Sequence, residues 1–183
     1  TEPNLETSGQ LTLNGETTDV MGLSWMDHQW GEFIVTGYPS GWQWFGMQLP
    51  NQQYLMLSES RETDTNRSTY ATFRDSTGST HHVSEEEIEL ITIDYWTSPK
   101  TNAIYPRKWI LSIKTHQILI EIESTIAAQE LTEAFPPRTI YWEGVATVSG
   151  VINGYYFTEK EGHRAFVELV GYVDTESIAI TKD

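Results

Sequence analysis

Short segments in which apolar and polar residues alternate, separated by turn signals, make up most of this chain. In residues 118–123, Ile118, Ile120 and Ile122 share one face, whereas Glu121 and Glu123 lie on the other. That two-residue period is typical of a half-buried β-strand. No segment of helix length shows a convincing 3.6-residue period, so the patterning restricts the chain to antiparallel β structure.

Turn residues join neighbouring segments into hairpins at three places. The predicted hairpins place Asn14-Gly15 between residues 11–13 and 16–20, Pro50-Asn51-Gln52 between 42–49 and 54–60, and residues 75–78 between 69–74 and 80–83. Such short connections join strands that are adjacent and antiparallel. We therefore expect an all-β fold of about nine or ten strands, as an up-and-down barrel or a sandwich, with helix confined to a turn or two near residues 125–134.

Size and charge exclude several classes of function. The chain has 183 residues, which predicts a single domain over residues 1–183 with a sizeable core. Its net charge of −15 argues against nucleic acid and anionic membrane surfaces, because both require a basic face. No apolar run reaches the ~20 residues that a membrane span needs.

The residue types present exclude further chemistry. There are no cysteines, so disulfides, thiolate metal sites and a cysteine nucleophile are all excluded. We expect no cofactor and no metal, since the sequence has no phosphate-binding loop and its adjacent His81-His82 pair points to opposite faces of a strand. Scarce lysine, with abundant Thr, Ser, Gln and Tyr, weakly favours a bacterial periplasmic or secreted location over the cytoplasm.

Tryptophan is concentrated near the N-terminal third of the chain. Four of the seven tryptophans fall between Trp25 and Trp44, beside the pair Asp27-His28. Such a cluster is either a Trp-rich core with one satisfied histidine or a site for an extended or flat apolar ligand. His28 is a candidate general acid or base, and Asp27 joins it on one face only if the strand bulges there.

Two glutamates stand among apolar neighbours on predicted strands. Glu143 follows Tyr141-Trp142, and Glu168 shares a strand face with Tyr172. Each is either a paired buried charge or a carboxylate of a site. Gln43, between Trp42 and Trp44, requires hydrogen-bond partners if it is buried.

Several short motifs, in order, resemble a known family. They are Ser24-Trp25-Met26-Asp27-His28-Gln29-Trp30-Gly31, Gly41-Trp42-Gln43-Trp44-Phe45-Gly46-Met47-Gln48-Leu49, Tyr95-Trp96-Thr97-Ser98-Pro99-Lys100-Thr101, Tyr105-Pro106, Gln129-Glu130-Leu131, Tyr141-Trp142-Glu143-Gly144 and Val167-Glu168-Leu169-Val170-Gly171-Tyr172. Together they resemble carotenoid 1,2-hydratase (hydroxyneurosporene synthase) and AttH-like proteins over residues 11–172.

That resemblance implies a lipocalin-like β-barrel and water addition to a polyene by acid–base chemistry; related proteins of the fold catalyse cyclisations. Members usually carry two such domains, and this chain resembles the C-terminal one, as an excised fragment or a single-domain relative. The family's His-x-Trp element corresponds to His28-Gln29-Trp30. Where the family often has Asp between two tryptophans, this chain has Gln43, and an amide cannot protonate an alkene.

The sequence thus predicts a lipocalin-like barrel that binds an elongated hydrophobic ligand of isoprenoid or acyl type. The expected ligand-binding residues are Trp30, Trp42, Gln43, Trp44, Phe45, Tyr141, Trp142, Glu168 and Tyr172. The alternatives are a hydro-lyase or cyclase, with His28 as base and Asp27 or Glu143 as acid, and a non-catalytic domain that docks a partner. The expected partner is a second lipocalin-like domain in cis or in a homodimer.

Overall fold

A computed structural model describes residues 1–28, 30, 41–61, 67–134 and 139–173. The strands, in chain order, are β1 Glu2–Leu13, β2 Glu16–Met26, β3 Trp42–Gln48, β4 Tyr54–Arg61, β5 Arg67–Arg74, β6 Thr80–Val83, β7 Ile88–Thr97, β8 Ile104–Ile113, β9 Ile118–Ser124, β10 Glu130–Ala134, β11 Thr139–Ile152, β12 Tyr155–Phe157 and β13 Arg164–Val170. Short 3-10 helices occur at Pro50–Gln52, Glu85–Glu87, Lys114–His116 and Glu159–Glu161.

The chain divides into two compact units, Thr1–Ile34 and Val35–Asp183. Within the first unit, β1 and β2 form a long antiparallel hairpin in which Leu13 pairs with Glu16. Its turn is the predicted Asn14-Gly15 pair, with φ of 51° and 84°. Positive φ at both central residues matches the right-handed twist of the strands, which explains the Asn-Gly choice.

The second unit is one curled antiparallel sheet that forms a half-barrel. Nine strands follow one path in the order β6-β5-β4-β3-β13-β11-β9-β8-β7, and β10 and β12 both pair with β11. The predicted hairpins β3–β4 and β5–β6 are confirmed. So is the all-β class, with no α-helix in the described ranges.

The expectation of a helical turn near residues 125–134 is wrong. This segment ends in β10, in which Glu130 pairs with Trp142 and Leu131 with Tyr141 of β11. Ladder pairing with β11 outweighs a weak local helical tendency.

None of the helices in the described residues is long and apolar enough to span a membrane.

Alternation along the strands builds the core on the inner face of the curled sheet. On β9, Ile118, Ile120 and Ile122 are buried as predicted, opposite Trp109, Leu111 and Ile113 of β8. The largest buried side chains are Trp109, Trp142, Tyr105, Phe45, Phe73 and Phe157. Burial of each such aromatic side chain contributes roughly 1.5–3 kcal/mol, so this inner face carries most of the stability of the unit.

Candidate functional site

A cleft of about 340 Å³ opens between two distant parts of the curled sheet. One side is formed by β4 and β5, and the other by β7, the strand at the far end of the sheet. The residues that line it are Gln43, Glu59, Arg61, Arg67, Leu90, Ile91, Thr92, Tyr95, Pro106 and Tyr172. One wall is charged and amide-bearing, and the other is aliphatic and aromatic. This combination suits a small molecule that has both an apolar body and a polar group.

A series of buried side-chain hydrogen bonds supports the polar wall of the cleft. The Trp109 Nε1–H donates to Gln43 Oε1 at 2.9 Å, and Gln43 Nε2 donates to Glu59 Oε1 at 2.8 Å. Gln43 is 4% exposed and Glu59 is 5% exposed. Arg67 Nη1 donates to the same carboxylate oxygen at 3.2 Å. The Gln43 side-chain amide therefore both accepts and donates a hydrogen bond, and the buried carboxylate is paired, as its burial requires.

The Arg61 side chain lies beside these hydrogen bonds and is held by a backbone carbonyl and an aromatic ring. Its Nη2 donates to Val170 O at 2.8 Å, and its Cζ lies 4.1 Å from the centre of the Tyr172 ring. Gly41 is required here, because a Cβ at this position would lie 2.0 Å from Val170 O. Burial raises the pKa of the Tyr172 phenol, so it stays protonated and keeps a hydroxyl to donate.

Behind Tyr172, a second aromatic residue is held by a carboxylate. The Tyr105 ring lies 5.3 Å from Tyr172, and its hydroxyl donates to Glu130 Oε1 at 3.0 Å. Ser98 Oγ donates to Glu130 Oε2 at 2.5 Å, and the Thr101 hydroxyl also donates to this carboxylate. Glu130 on β10 thus fixes both the β7–β8 connection and the aromatic wall.

The structure distributes the expected ligand-binding residues over both faces of the sheet. Gln43 and Tyr172 line the cleft, whereas Phe45 and Trp142 are buried in the core, where Trp142 Nε1 donates to Ala127 O at 2.6 Å. The opposite face carries the remaining sheet residues of that set, together with the candidate acid Glu143: Trp42, Trp44, Tyr141, Glu143 and Glu168.

On that opposite face the two glutamates are neighbours. Glu143 pairs directly with Glu168 across β11 and β13, and Glu168 pairs with Trp44 of β3. Burial raises the pKa of the Glu143 carboxyl. Trp42, Trp44 and Glu168 each have further contacts. This face therefore places a carboxyl with a raised pKa beside aromatic side chains.

Asp27, His28 and Trp30 belong to the hairpin unit. Asp27 Oδ2 accepts a hydrogen bond from Trp25 Nε1 at 3.1 Å, and its carboxylate also accepts from the Thr1 hydroxyl. The His28 and Trp30 rings lie 5.2 Å apart, and Trp30 is 79% exposed. Gln29, between them, lies outside the described residues.

Sequence reasoning missed Glu59, Arg61 and Arg67. A usable signal was present, because Glu59 and Arg61 continue the inward face of β4 that begins with Leu55 and Leu57. A carboxylate that follows Leu55 and Leu57 on one strand face is such a signal, although its sequence neighbours Ser58 and Ser60 are polar. The pairing of β4 with β3, which the sequence predicts as a hairpin, brings Glu59 to Gln43.

Comparison with known proteins gives the chain's relationships. The AttH-like family model matches residues 1–172. The curated dehydratase asqC of Emericella nidulans is 27% identical over 177 residues, which cover 92% of this chain and 48% of that protein.

Two solved structures share the architecture. A structure from Nitrosomonas europaea described as an AttH superposes on this protein with a TM-score of 0.77 and 28% sequence identity. The match covers 94% of this chain and 51% of the Nitrosomonas europaea chain. Kievitone hydratase from Nectria haematococca has a TM-score of 0.73 and 23% identity, and covers 93% of this chain and 52% of its own, a likeness of fold. The chain thus spans about half the length of these relatives. With the family model matched over nearly its whole length, this chain belongs to the AttH-like family.

Proposed function

We propose that the cleft binds a small oxygenated organic molecule and supports hydratase or dehydratase chemistry, the addition or removal of water. The observation that carries this proposal is the buried Glu59 carboxylate at the cleft, held by Gln43 and Arg67. The name of the dehydratase asqC, at 27% identity, supports water chemistry as the reaction class.

Glu59 has the properties of a general base. In dehydration of a β-hydroxy carbonyl compound, a carboxylate removes the proton from the carbon beside the carbonyl. The electron pair of the broken C–H bond forms the C=C bond as the C–O bond of the neighbouring carbon breaks. The new carboxyl returns its proton to the departing hydroxide, which leaves as water. Arg67 and Gln43 hold Glu59 in position, so little reorganisation is needed.

The position of Glu59 also accounts for the presence of Gln43 where the family motif often has Asp. The resemblance leads us to expect an acid at residue 43, and Gln43 instead donates to Glu59 on the adjacent strand. In this proposal the carboxyl function has moved one strand across the same inner face. Gln43 then orients Glu59 rather than taking part in proton transfer.

The finer expectations from the sequence belong to the same proposal. An isoprenoid or acyl chain of the carotenoid 1,2-hydratase type would place its apolar body against Leu90, Ile91 and Pro106, with a polar end at Glu59. His28, Trp30 and the residues of the opposite sheet face remain proposed contributors. Because the relatives are about twice as long, a second lipocalin-like domain or a second copy remains the proposed partner.

The test is a reaction screen with matched variants. The full chain is incubated with pairs of β-hydroxy and α,β-unsaturated carbonyl compounds in water enriched in heavy oxygen, and products are read by mass spectrometry. We expect exchange of heavy oxygen into the hydroxy compound of at least one pair, abolished in Glu59→Gln and retained in Glu89→Gln, an exposed residue of β7. Exchange that persists in Glu59→Gln would contradict the role given to this carboxylate.

A further inference from the structure

The cleft carries more positive than negative charge in a protein whose net charge is −15. Of the described residues that line it, Arg61 and Arg67 are cationic and Glu59 is anionic. The balance is one unit of positive charge in a partly enclosed space. In an acidic protein, a local positive site lined by low-dielectric walls raises the concentration of anions at that site.

The two arginines are direct cross-strand neighbours. Arg61 of β4 pairs with Arg67 of β5 in register, so both side chains project from the same face. Like charges in directly opposite positions destabilise a sheet unless an anion lies between or beside them. Glu59 serves Arg67, to which it is bound at 3.2 Å, and this leaves Arg61 without a carboxylate among the described residues.

The hydrogen bonding of Arg61 is incomplete within the described part of the chain. Its Nη2 donates to Val170 O at 2.8 Å and to Gly171 O at 3.5 Å, but its buried Nε has no hydrogen-bond partner among the described residues. A guanidinium presents its donors in a planar fork that matches a carboxylate. Because the backbone and the Tyr172 ring already fix this guanidinium, an incoming carboxylate would find it preorganised.

We propose that the ligand of this cleft is a carboxylic acid whose carboxylate binds Arg61, with Arg67 alongside. One carboxylate neutralises the excess charge, so a monoanion is the class that fits. The apolar body of such an acid then lies against the opposite wall of Leu90, Ile91 and Pro106. This inference rests on the proposed function, since it names the class of molecule on which that function acts.

The experiment compares acids with their amides. The full chain is titrated with benzoate and benzamide, cinnamate and cinnamamide, and sorbate and sorbamide, with binding followed by calorimetry and by the indole resonance of Trp109. We expect at least one acid to bind about ten-fold or more tightly than its amide at low salt, as a charge-assisted hydrogen bond requires. Added sodium chloride should reduce this preference.

Variants separate the inference from the proposed function. Arg61→Gln should abolish the preference for the acid, whereas Arg164→Gln, an exposed arginine of β13, should leave it unchanged. Arg61→Lys, which keeps the charge, should retain part of it, and circular dichroism confirms folding of each variant. Equal binding of acid and amide, or a preference that survives in Arg61→Gln, overturns the inference alone. Absence of binding by all six compounds overturns it together with the proposed function.

Discussion

At the scale of single residues, the surroundings of each glutamate assign its role. Glu59 accepts hydrogen bonds from Gln43 and Arg67, which hold its carboxylate at the cleft. Glu143 lies opposite Glu168, and burial raises its pKa. Both glutamates lie on strands that carry apolar residues, so the strand pattern alone does not assign their roles. The distinction depends on cross-strand partners that are distant along the chain.

Glu143→Gln should stabilise the protein near neutral pH. The raised pKa of Glu143 means that folding favours its neutral form, so its contribution to stability is present at low pH and is lost as pH rises through the folded-state pKa. Removing the charge should gain on the order of 0.5 kcal/mol at pH 7, or about 1–2 °C in Tm. Thermal melts from pH 4 to pH 8 should show the gain shrinking towards pH 4.

Glu121→Gln is the matched control for this measurement. Glu121 accepts a hydrogen bond from Lys108 Nζ at 2.7 Å, and this contact raises the pKa of the lysine. Its removal should lower Tm slightly at pH 7, the opposite sign to Glu143→Gln. A Glu143→Gln variant that is less stable than the parent at pH 7 and equal to it at pH 4 would refute the assignment.

At the scale of elements, the strand β4 shows how alternation in the sequence places residues at the cleft. The inward face of β4 carries Leu55 and Leu57 in the core, then Glu59 and Arg61 at the cleft. The sequence predicted this strand and its hairpin with β3, because local alternation and turn residues suffice for that. It also predicted a curved, barrel-like sheet, but it did not predict that β4–β5 would face β7, which depends on long-range pairing. The strand β10 was mistaken for helix for the same reason.

The connection between β7 and β8 is predicted to depend on Glu130. Its carboxylate accepts hydrogen bonds from the hydroxyls of Ser98, Thr101 and Tyr105. Glu130→Ala leaves the buried Ser98 and Tyr105 hydroxyls without this acceptor and should cost on the order of 2–3 kcal/mol. Urea unfolding should show this as a lower midpoint, with a smaller loss in Tyr105→Phe.

The control for Glu130→Ala is Glu89→Ala, an exposed glutamate on β7. We expect its unfolding midpoint to match that of the parent chain. If Glu130→Ala and Glu89→Ala unfold at the same midpoint, Glu130 does not hold the connection.

At the scale of the whole molecule, two features bear on function: the distribution of charge and the length of the chain relative to its relatives. The chain is strongly acidic, yet its cleft holds two arginines. It spans about half the length of the relatives that it matches. The Trp-rich motif led sequence reasoning to an apolar site, but Trp42 and Trp44 lie on the opposite face of β3 from Gln43. Alternation in the sequence predicts these opposite faces, but it leaves open which of the two is the buried one, and in the structure that is the face of Gln43.

Loss of the Glu59 carboxylate is expected to affect ligand affinity and fold differently. Glu59→Gln keeps the shape and the contact with Gln43 but removes the charge that pairs with Arg67. Carboxylate ligands should therefore bind more tightly to this variant, by about three-fold to ten-fold, because two uncompensated guanidinium groups face them. Calorimetry with cinnamate measures the change, and weaker binding would contradict the charge balance described here.

The indole N–H of Trp109 reports most directly on whether the cleft is the binding site. It donates to Gln43, which lines the cleft, whereas the indole of Trp142 donates to Ala127 O in the core. In ¹H–¹⁵N spectra of the full chain titrated with cinnamate, we predict a saturable shift of the Trp109 indole resonance with little movement of Trp142. Saturable binding that leaves Trp109 unmoved and shifts other tryptophans would contradict the account.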